Sequence, residues 1–259
     1  EQDALLRVAL HDDAGQPAND ATDDQPDDDS HGTDSFQTGT GGGAADTVNA
    51  QKRETAVDLR EGRVVSDGIL AQWQCGPVQV WQLAHQPGTR GEPGARQVLG
   101  LALGMAASEV PIVRSERGRP ELVAPLAHCD AGWSHSGGHL LVALARGGRL
   151  GVDLERVQVR PRMDEVIARF FHPAEVDWLL GLPADQRSHW FFRVWCAKEA
   201  ILKCHGHGIS YGLHRFAVMP EAGALQVADS DTGLGPASSW QLHEWEIGTF
   251  RAAVAWQPG

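Results

Sequence analysis

The chain has 259 residues, of which 42% are apolar and 9 are tryptophan, so it is long enough to bury a core in one large domain or two small ones. Its formal net charge of -12 comes mostly from the first 60 residues, which hold 14 acidic and 4 basic side chains. The remaining charge is nearly balanced, without a basic stripe, and no apolar run approaches the roughly 20 residues of a membrane span, so neither nucleic-acid binding nor membrane insertion is expected.

Residues 1–60 form an acidic, glycine-rich segment in which Phe36 is the only aromatic residue between positions 11 and 55. Such a composition buries too little apolar area to offset the conformational entropy of the chain. The segment is therefore predicted to be disordered, and order is expected to begin near Val64. No secretory signal is recognised after Glu1.

Four cysteines stand apart without a CxxC pair, which is typical of the reduced thiols of a cytoplasmic protein. Cys204, His205 and His207 lie close enough in sequence to suggest a metal cluster. That alternative is disfavoured because no second pair of ligands with zinc spacing follows.

The first elements that the pattern predicts lie between residues 77 and 154. Residues 77–85 alternate apolar and polar side chains, which is the period of a half-buried strand. Residues 93–108 carry the apolar positions of a buried helix. The apolar runs 140–145 and 150–154, separated by two glycines, predict a hairpin with a glycine turn.

The second part of the chain begins with helices and ends with strands. Helical patterns begin after Pro161 and at Pro173, and the longest one covers residues 184–204. Three strands are predicted to follow, at residues 214–219, 239–246 and 250–256. The sequence thus predicts an α+β fold with a helix-rich stretch between two groups of strands.

Two carboxylates follow a buried strand in the sequence GVDLE at Gly151–Glu155. Side chains alternate along a strand, so Asp153 and Glu155 share one face while their apolar neighbours face the core. Paired carboxylates suit a hard divalent cation such as Mg²⁺, which also takes phosphate oxygens of a substrate. Taken alone, the pair is more typical of a solvated strand end.

The second candidate is the helical segment WCAKEAILK at Trp195–Lys203, in which Trp195, Glu199 and Lys203 share one face. An exposed Glu–Lys pair is the simpler interpretation, but the chain uses 19 arginines and only 3 lysines. Two of those lysines, Lys198 and Lys203, lie beside this glutamate. Because lysine releases a proton more readily than arginine, the placement favours a functional helix.

Two weaker motifs come earlier in the chain. Ser134, His135 and Ser136 lie beside glycines, and their hydroxyl, imidazole and backbone N–H groups suit a phosphate. The sequence GWSHS nearly matches the G-x-S-x-G nucleophile elbow but fails at its fifth position, so a serine hydrolase acting through Ser134 is a minor alternative. Arg119, in a Gly-Arg-Pro turn, carries little information by itself.

Taken in order, these four motifs resemble those of the Sfp-type 4'-phosphopantetheinyl transferases. That family carries a G-[KR]-P turn, an S-H-S segment, G-[VI]-D-x-E and W-x-x-K-E-[AS]-x-x-K. The same order stands here at Gly118–Pro120, Ser134–Ser136, Gly151–Glu155 and Trp195–Lys203. The resemblance extends over residues 64–256, and the last two motifs are its most specific part.

The resemblance implies a monomer built from two similar α/β halves related by a pseudo-twofold axis, with coenzyme A bound in the cleft between them. The halves would comprise residues 61–155 and 156–259, preceded by the disordered acidic segment. It also implies an enzyme that moves the phosphopantetheine arm of coenzyme A onto a serine of an acyl or peptidyl carrier protein and releases 3',5'-ADP. A non-catalytic coenzyme A-binding module of the same fold is the alternative.

The resemblance further implies a role for each matching residue. The cofactor Mg²⁺ would be held by Asp153, Glu155 and Glu199, and the catalytic residues would be Glu199, Lys203 and Asp153. The substrate coenzyme A would be contacted by six side chains, which are Arg96, Arg119, Ser134, His135, Lys198 and Lys203.

Other features concern the partner and departures from the family. Six arginines between residues 146 and 169 offer positive charge that would steer an acidic carrier protein. The family usually has asparagine two residues before the serine of S-H-S, whereas this chain has Gly132. Apolar residues around Met105 stand where family members often have a second basic residue after the position of Arg96.

Overall fold

A computed structural model describes residues 68–259, and the predicted disordered segment and its boundary near Val64 lie outside this range. Within the described range the chain forms four α-helices and eleven β-strands, which confirms the α+β class. The elements of the first part are β1 Ile69–Cys75, β2 Val78–Ala84, α1 Glu92–Leu103, β3 Ile112–Arg114, β4 Pro120–Leu122, β5 Cys129–Ser136, β6 His139–Arg146 and β7 Arg149–Arg156.

The second part of the chain contains the long helix that later supplies the charged residues of the site. Its elements are α2 Met163–Phe170, α3 Pro173–Gly181, α4 Ala184–His205, β8 Phe216–Glu221, β9 Ala224–Ser230, β10 Gln241–Ile247 and β11 Phe250–Gln257. None of the helices within residues 68–259 combines the length and the apolar character that crossing a bilayer requires.

Two sheets pack face to face between two helices. One sheet has four strands in the order β1-β2-β6-β5, and the other has three in the order β10-β11-β7. Apolar side chains of both sheets, including Val80, Leu141 and Val152, form the core between them. Helix α1 packs on the outer face of the four-stranded sheet through Val98, and α4 packs on the outer face of the three-stranded sheet against Ala253. The facing layers therefore bring β7 directly beneath α4.

The predicted hairpin between residues 140 and 154 is wrong, although both of its strands exist. Strand β6 pairs with β2 on one side and with β5 on the other, so neither edge is open to β7. Strand β7 crosses to the second sheet and pairs antiparallel with β11. Gly147 and Gly148, with φ of 81° and 71°, allow the backbone to make this crossing. The predicted domain boundary after residue 155 thus falls at the end of a strand that pairs with the C-terminal segment.

Most of the other predicted elements are confirmed. The helix predicted over residues 93–108 ends earlier, at Leu103, because Gly104 adopts a φ of 73° and closes it. Strands β1, β3, β4, β5 and β9 were not predicted. Of these, β5 matters most, because the Ser134–Ser136 motif lies on this strand and not in a glycine loop.

A row of side chains on β5 joins the two sheets. Their oxygens accept hydrogen bonds from backbone N–H groups of β7: Asp130 from Leu150 (2.7 Å), Ser134 from Leu154 (3.3 Å) and Ser136 from Arg156 (3.1 Å). The two strands therefore run parallel with a constant offset of 20 residues. Side chains replace the usual backbone ladder at this junction.

Gly132 interrupts this row opposite Val152, because it has no side chain that accepts from the N–H of that residue. We expect Gly132→Ser to raise the free energy of unfolding by about 1 kcal/mol, by adding one hydrogen bond to a buried strand. A β-carbon at this position would lie 3.3 Å from Leu150 Cδ1, the movable end of a side chain. Urea unfolding of this variant is compared with that of Gly132→Ala, which adds the β-carbon alone. Equal stability of the two variants would contradict the prediction.

Candidate active site

The carboxylate face of β7 lies against helix α4. The apolar residues of the strand point into the core between the sheets, so Asp153 and Glu155 point toward the helix, as the strand alternation predicts. A β-carbon on Gly151 would stand 2.0 Å from the Ala200 carbonyl oxygen, so only glycine allows the helix backbone to come this close. The close approach brings charged residues of the two elements within bonding distance.

Ser134, Asp153 and Lys203 form a closed triangle of hydrogen bonds between β5, β7 and α4. Lys203 Nζ donates to Asp153 Oδ1 (2.7 Å) and to Ser134 Oγ (3.1 Å). Ser134 Oγ donates to the same Asp153 oxygen (3.0 Å). Because Ser134 is fully buried and Asp153 nearly so, the triangle holds the charged end of Lys203 in one place beside the strand.

Three carboxylates set the charge state of Lys203. Burial disfavours the ammonium form, but the carboxylates of Asp153, Glu199 and Glu155 outweigh burial and raise the pKa of Lys203 above its ordinary value. Lys203 is therefore positively charged at neutral pH.

Glu155 is the most exposed carboxylate of this group. Its side chain is 22% exposed, and Arg160 Nη2 lies 3.7 Å from its Oε2 oxygen. Burial and then the charge of Asp153 raise the pKa of Glu155 to about 7, while the cations of Arg160 and Lys203 act in the opposite direction. A bound cation would offset the repulsion from Asp153 and favour the ionised carboxylate.

The carboxylates fit a divalent cation, although they do not form a complete ligand set by themselves. Within residues 68–259 no group of three His, Cys, Asp or Glu side chains has an arrangement that would hold a metal. Asp153 Oδ2 is buried and accepts no hydrogen bond from that part of the chain. Mg²⁺ commonly takes only one or two carboxylates and completes its shell with water and substrate phosphates. The acidic pair of β7 therefore suits this ion, with Glu199 as the predicted third ligand.

Lys198, which was predicted to contact coenzyme A, lies in the core. Its side chain is 0% exposed, and Nζ donates to both oxygens of Glu175 (2.7 and 2.8 Å) and to the Phe216 carbonyl (2.6 Å). All three donors of the ammonium group are therefore used. Adjacent helical residues point about 100° apart, so Glu199 faces the strand while Lys198 faces the core. The predicted coenzyme contact does not fit this position.

The two arginines predicted to contact coenzyme A also have internal partners. Arg119 forms an ion pair with Asp130 and donates to three backbone carbonyls. Arg96, on α1, pairs with Glu92 (2.8 Å) and donates to the Val110 carbonyl (2.8 Å). Both guanidinium groups thus serve contacts within the protein in this structure.

His135 lies on the opposite face of β5 from Ser134. Its ring packs at a tilt of 34° on that of His85, with the centroids 4.5 Å apart. The pair lies near the start of α1, where a β-carbon on Gly91 would be 3.2 Å from His135 Cδ2. The structure therefore separates His135 from the Ser134–Lys203 triangle. Because Ser134 donates to Asp153 and its neighbour faces away, Ser134 and His135 do not form the serine–histidine pair of a hydrolase.

The alternative of a cysteine–histidine metal cluster is not supported. His205 and His207 stack with their centroids 4.4 Å apart and pack on Tyr211, and the described part of the chain forms no metal-binding group there. Burial raises the pKa of the Cys204 thiol to about 12, so this buried thiol is protonated at neutral pH. All four cysteines are buried, free thiols.

Sequence reasoning missed Asp130 and Glu175 and misjudged Arg160. Asp130 shares one face of β5 with Ser134, a period of two that a strand assignment over residues 129–136 would have revealed. Glu175 belongs to the capping box that begins α3, and this local pattern hides its second role as the partner of Lys198. Arg160 is one of the six arginines that were predicted to steer a carrier protein, although it lies beside Glu155. Its contact depends on the fold of the following loop, for which the sequence holds no signal.

The fold and the site together define an α+β protein whose carboxylates and lysine suit a phosphate bound to a divalent cation. The model of the 4'-phosphopantetheinyl transferase superfamily matches residues 149–255, which contain β7 and α4. A candidate 4'-phosphopantetheinyl transferase of Synechocystis is 35% identical over 174 residues, which cover 62% of this chain and 68% of that protein. The chain belongs to the 4'-phosphopantetheinyl transferase family, which confirms the family that the motifs predicted.

Other relatives match shorter parts of the chain. The 4'-phosphopantetheinyl transferase HetI of Nostoc is 35% identical over 124 residues, covering 47% of this chain and 52% of that protein. The 4'-phosphopantetheinyl transferase Sfp of Bacillus subtilis is 30% identical over 129 residues, covering 49% of this chain and 55% of that protein. The chain thus spans about half the length of these two relatives. The solved structure of a holo-ACP synthase from Plasmodium yoelii aligns with a TM-score of 0.33 and 16% identity, covering 43% of this chain and 94% of that chain.

Proposed function

We propose that the chain transfers 4'-phosphopantetheine from coenzyme A to a serine of an acyl or peptidyl carrier protein and releases 3',5'-ADP. The observation that carries this proposal is the hydrogen bond from the ammonium group of Lys203, on α4, to Asp153, on β7, with Glu155 on the same strand and Glu199 on the same helix. Such a group suits phosphoryl transfer, in which positioning and charge stabilisation supply most of the rate. The relatives HetI and Sfp are named for the same activity.

In the proposed reaction, the hydroxyl oxygen of the carrier serine attacks the phosphorus that bears the pantetheine arm. The new P–O bond forms while the bond to the bridging pyrophosphate oxygen breaks, and 3',5'-ADP leaves. Glu199, one helical turn before Lys203, takes the proton of the serine. The Lys203 ammonium stabilises the charge on the leaving phosphate, and its raised pKa supports this role because the cation persists at neutral pH.

A bound Mg²⁺ would neutralise the pyrophosphate and the charge that develops on it during transfer. Asp153, Glu155 and Glu199 are the proposed ligands, and the Asp153 Oδ2 oxygen supports this assignment because it is buried and accepts no hydrogen bond from residues 68–259. Ser134 is fully buried, so its proposed role is to hold Asp153 and Lys203 and not to touch the coenzyme. His135 and Arg96 are proposed to contact coenzyme A near the start of α1.

The raised pKa of Glu155 predicts how Mg²⁺ binding depends on pH. Because Glu155 must lose a proton to become a ligand, we expect the affinity for Mg²⁺ to fall about tenfold for each pH unit below 7. Without metal, the folded state binds more protons than the unfolded state between the ordinary pKa of 4.5 and about 7. The stability contributed by this group is therefore present below pH 4.5 and lost as the pH rises through that window.

Calorimetric titration of the protein with MgCl₂ between pH 6 and 8 measures this dependence. The matched control is Glu155→Gln, which has no proton to release at that position and is expected to bind Mg²⁺ more weakly with little dependence on pH. A wild-type affinity that stays constant over this range would remove Glu155 from the ligand set.

Positive charge beside the site supports an acidic carrier protein as the partner. Arg156 is exposed at the end of β7, Arg162 is exposed in the segment that follows it, and Val159 between them is 93% exposed. Complementary charge would steer the carrier to this segment. Arg160 differs from its neighbours, because it pairs with Glu155 and lies over the ring of Phe192 at 5.4 Å.

The wider proposal is a cytoplasmic monomer with two similar halves and the active site between them.

Mass spectrometry tests the proposed function directly. An apo carrier protein incubated with the chain, coenzyme A and Mg²⁺ is expected to gain the mass of one phosphopantetheine group on its serine. A panel of fatty-acid, polyketide and peptide carriers avoids a false negative from the wrong partner. Coenzyme A binding by calorimetry with no mass gain on any carrier would favour the non-catalytic binding module.

A further inference from the structure

Arg119 lies where the sequence predicts a contact with coenzyme A, but its contacts are internal. The side chains of Arg119 and Asp130 are each 10% exposed and form an ion pair. The guanidinium also donates to three backbone carbonyls: Pro120 (3.1 Å), Leu150 (3.1 Å) and Lys203 (3.0 Å). Four of its five N–H groups are thereby used, which leaves little of the fork for a phosphate.

The bond from Arg119 to the Lys203 carbonyl reaches the end of helix α4. The last four carbonyls of a helix have no partner within the helix, and this end carries partial negative charge. Lys203 lies in the last turn, which Gly206 closes by donating to the Leu202 carbonyl (2.9 Å). Arg119 Nε therefore supplies a cationic donor to a carbonyl that the helix leaves open, at the residue whose side chain enters the site.

The same ion pair takes the place of a neighbouring strand at the start of β7. Leu150 donates its N–H to Asp130 Oδ2 (2.7 Å) and accepts at its carbonyl from Arg119 Nη2. One ion pair thus satisfies both backbone groups of a buried residue. Leu150 lies on β7, three residues before Asp153. The Arg119–Asp130 ion pair therefore joins β7, which carries Asp153, to α4, which carries Lys203.

We propose that Arg119 and Asp130 form a clamp that positions Lys203 against Asp153, and that Arg119 is a positioning residue and not a ligand of coenzyme A. This inference rests on the proposed function, because the position of Lys203 matters for catalysis only if its ammonium acts on the transferred group. The clamp holds the backbone of Lys203, while Asp153 and Ser134 hold its ammonium. Loosening the clamp shifts the ammonium without removing a contact to the coenzyme.

The first test uses Arg119→Lys, which keeps one positive charge but lacks the planar fork that joins Asp130, Leu150 and Lys203. We expect kcat for transfer to fall about tenfold or more, since a small displacement of a catalytic group is costly. The dissociation constants for coenzyme A and for 3'-dephospho-coenzyme A, measured by calorimetry, are expected to change by less than about twofold. Arg117→Lys is the matched control, because Arg117 lies in the same turn with an exposed side chain, and this variant should match the wild type.

Two results of that test would overturn the inference. Weaker binding of coenzyme A but not of 3'-dephospho-coenzyme A would mean that Arg119 contacts the 3'-phosphate. A lower Tm with unchanged kcat, measured well below that Tm, would mean that the pair serves stability alone. Should Arg119→Lys fail to fold, Asp130→Asn, which preserves the shape of the side chain, is expected to show the same loss of kcat with unchanged affinities.

A double-mutant cycle with Lys203→Ala tests whether Arg119 acts through Lys203. In the Lys203→Ala background, Arg119→Lys is expected to cause no further loss of kcat, because the group that the clamp positions is already absent. If the fall in kcat of the double variant equals the product of the falls in the two single variants, the inference is overturned. Absence of transfer by the wild type on every carrier would instead overturn the proposed function, and the two failures are therefore distinguishable.

Discussion

Replacing Glu199 by glutamine is expected to abolish transfer while the fold survives. Glutamine has nearly the shape of glutamate but neither accepts the proton of the carrier serine nor offers a charged ligand to a cation. Loss of a general base alone lowers a rate by about 10²- to 10⁴-fold, so we expect kcat to fall at least about 10³-fold when ligand and base are lost together. Glu199 is almost fully buried, and the hydrogen bond from Lys203 to Asp153 remains in the variant, so the fold should survive the loss of this one carboxylate charge.

The measurement is the single-turnover rate of carrier modification by mass spectrometry, together with the Tm from circular dichroism. Glu165→Gln is the matched control, because Glu165 is exposed on α2 and the same chemical change there should leave the rate unaltered. Turnover by Glu199→Gln close to that of the wild type would exclude Glu199 as base and as ligand. A collapse of the fold in the variant would show that Glu199 is chiefly structural.

The second large effect is expected from Gly151→Ala, because Gly151 allows α4 to touch β7. A β-carbon there would lie 2.0 Å from the Ala200 carbonyl oxygen and 2.4 Å from the Cys204 amide nitrogen. These two backbone atoms belong to one helical hydrogen bond, so the helix has to retreat as a unit and is not relieved by a rotamer change. We expect a loss of about 3 kcal/mol or more in the free energy of unfolding, which corresponds to a fall in Tm of roughly 10 °C.

Activity should fall in the same variant, because Lys203 lies between the two displaced backbone positions. Gly181→Ala is the control: Gly181 ends α3, and a β-carbon there meets nothing within 4 Å. Alanine is favoured over glycine in helices by up to about 1 kcal/mol, so this control should be neutral or slightly stabilising. Thermal unfolding of the two variants side by side, with the transfer assay on each, measures the difference. A Gly151→Ala protein as stable as the wild type would contradict the close packing of α4 on β7.

The parts of the site that follow from short-range periodicity were predictable. Strand alternation puts Asp153 and Glu155 on one face, and the helical period puts Glu199 and Lys203 on another. The structure brings these two faces together. The family motifs predicted that pairing, whereas periodicity alone left the acidic pair as an ordinary solvated strand end. The hydrogen bond from Lys203 to Asp153 is thus the point at which local pattern and tertiary contact agree.

Long-range partners were the part that local patterns did not reveal. Lys198 lies in the same motif as Glu199, and the sequence gives no sign that Lys198 forms an ion pair with Glu175 in the core. The sequence likewise indicates only that Arg119 is an arginine in a turn. The structure shows that it contacts Asp130, Leu150 and the Lys203 carbonyl. Whether a charged side chain binds a ligand or forms contacts within the protein depends on the residues around it. Those residues lie up to 84 positions away in the sequence.

The sequence by itself determined the α+β class, the faces that carry the charged residues and the family to which the chain belongs, because helical and strand periods and short motifs depend only on near neighbours. Only the tertiary structure decided that β6 and β7 lie in different sheets. Both edges of β6 are paired, one with β2 and the other with β5, and β7 pairs instead with β11. That choice sets β7 beneath α4 and so creates the site. Strand pairing is a competition between segments distant in the chain, and its outcome is fixed by which edges remain open once the core has packed.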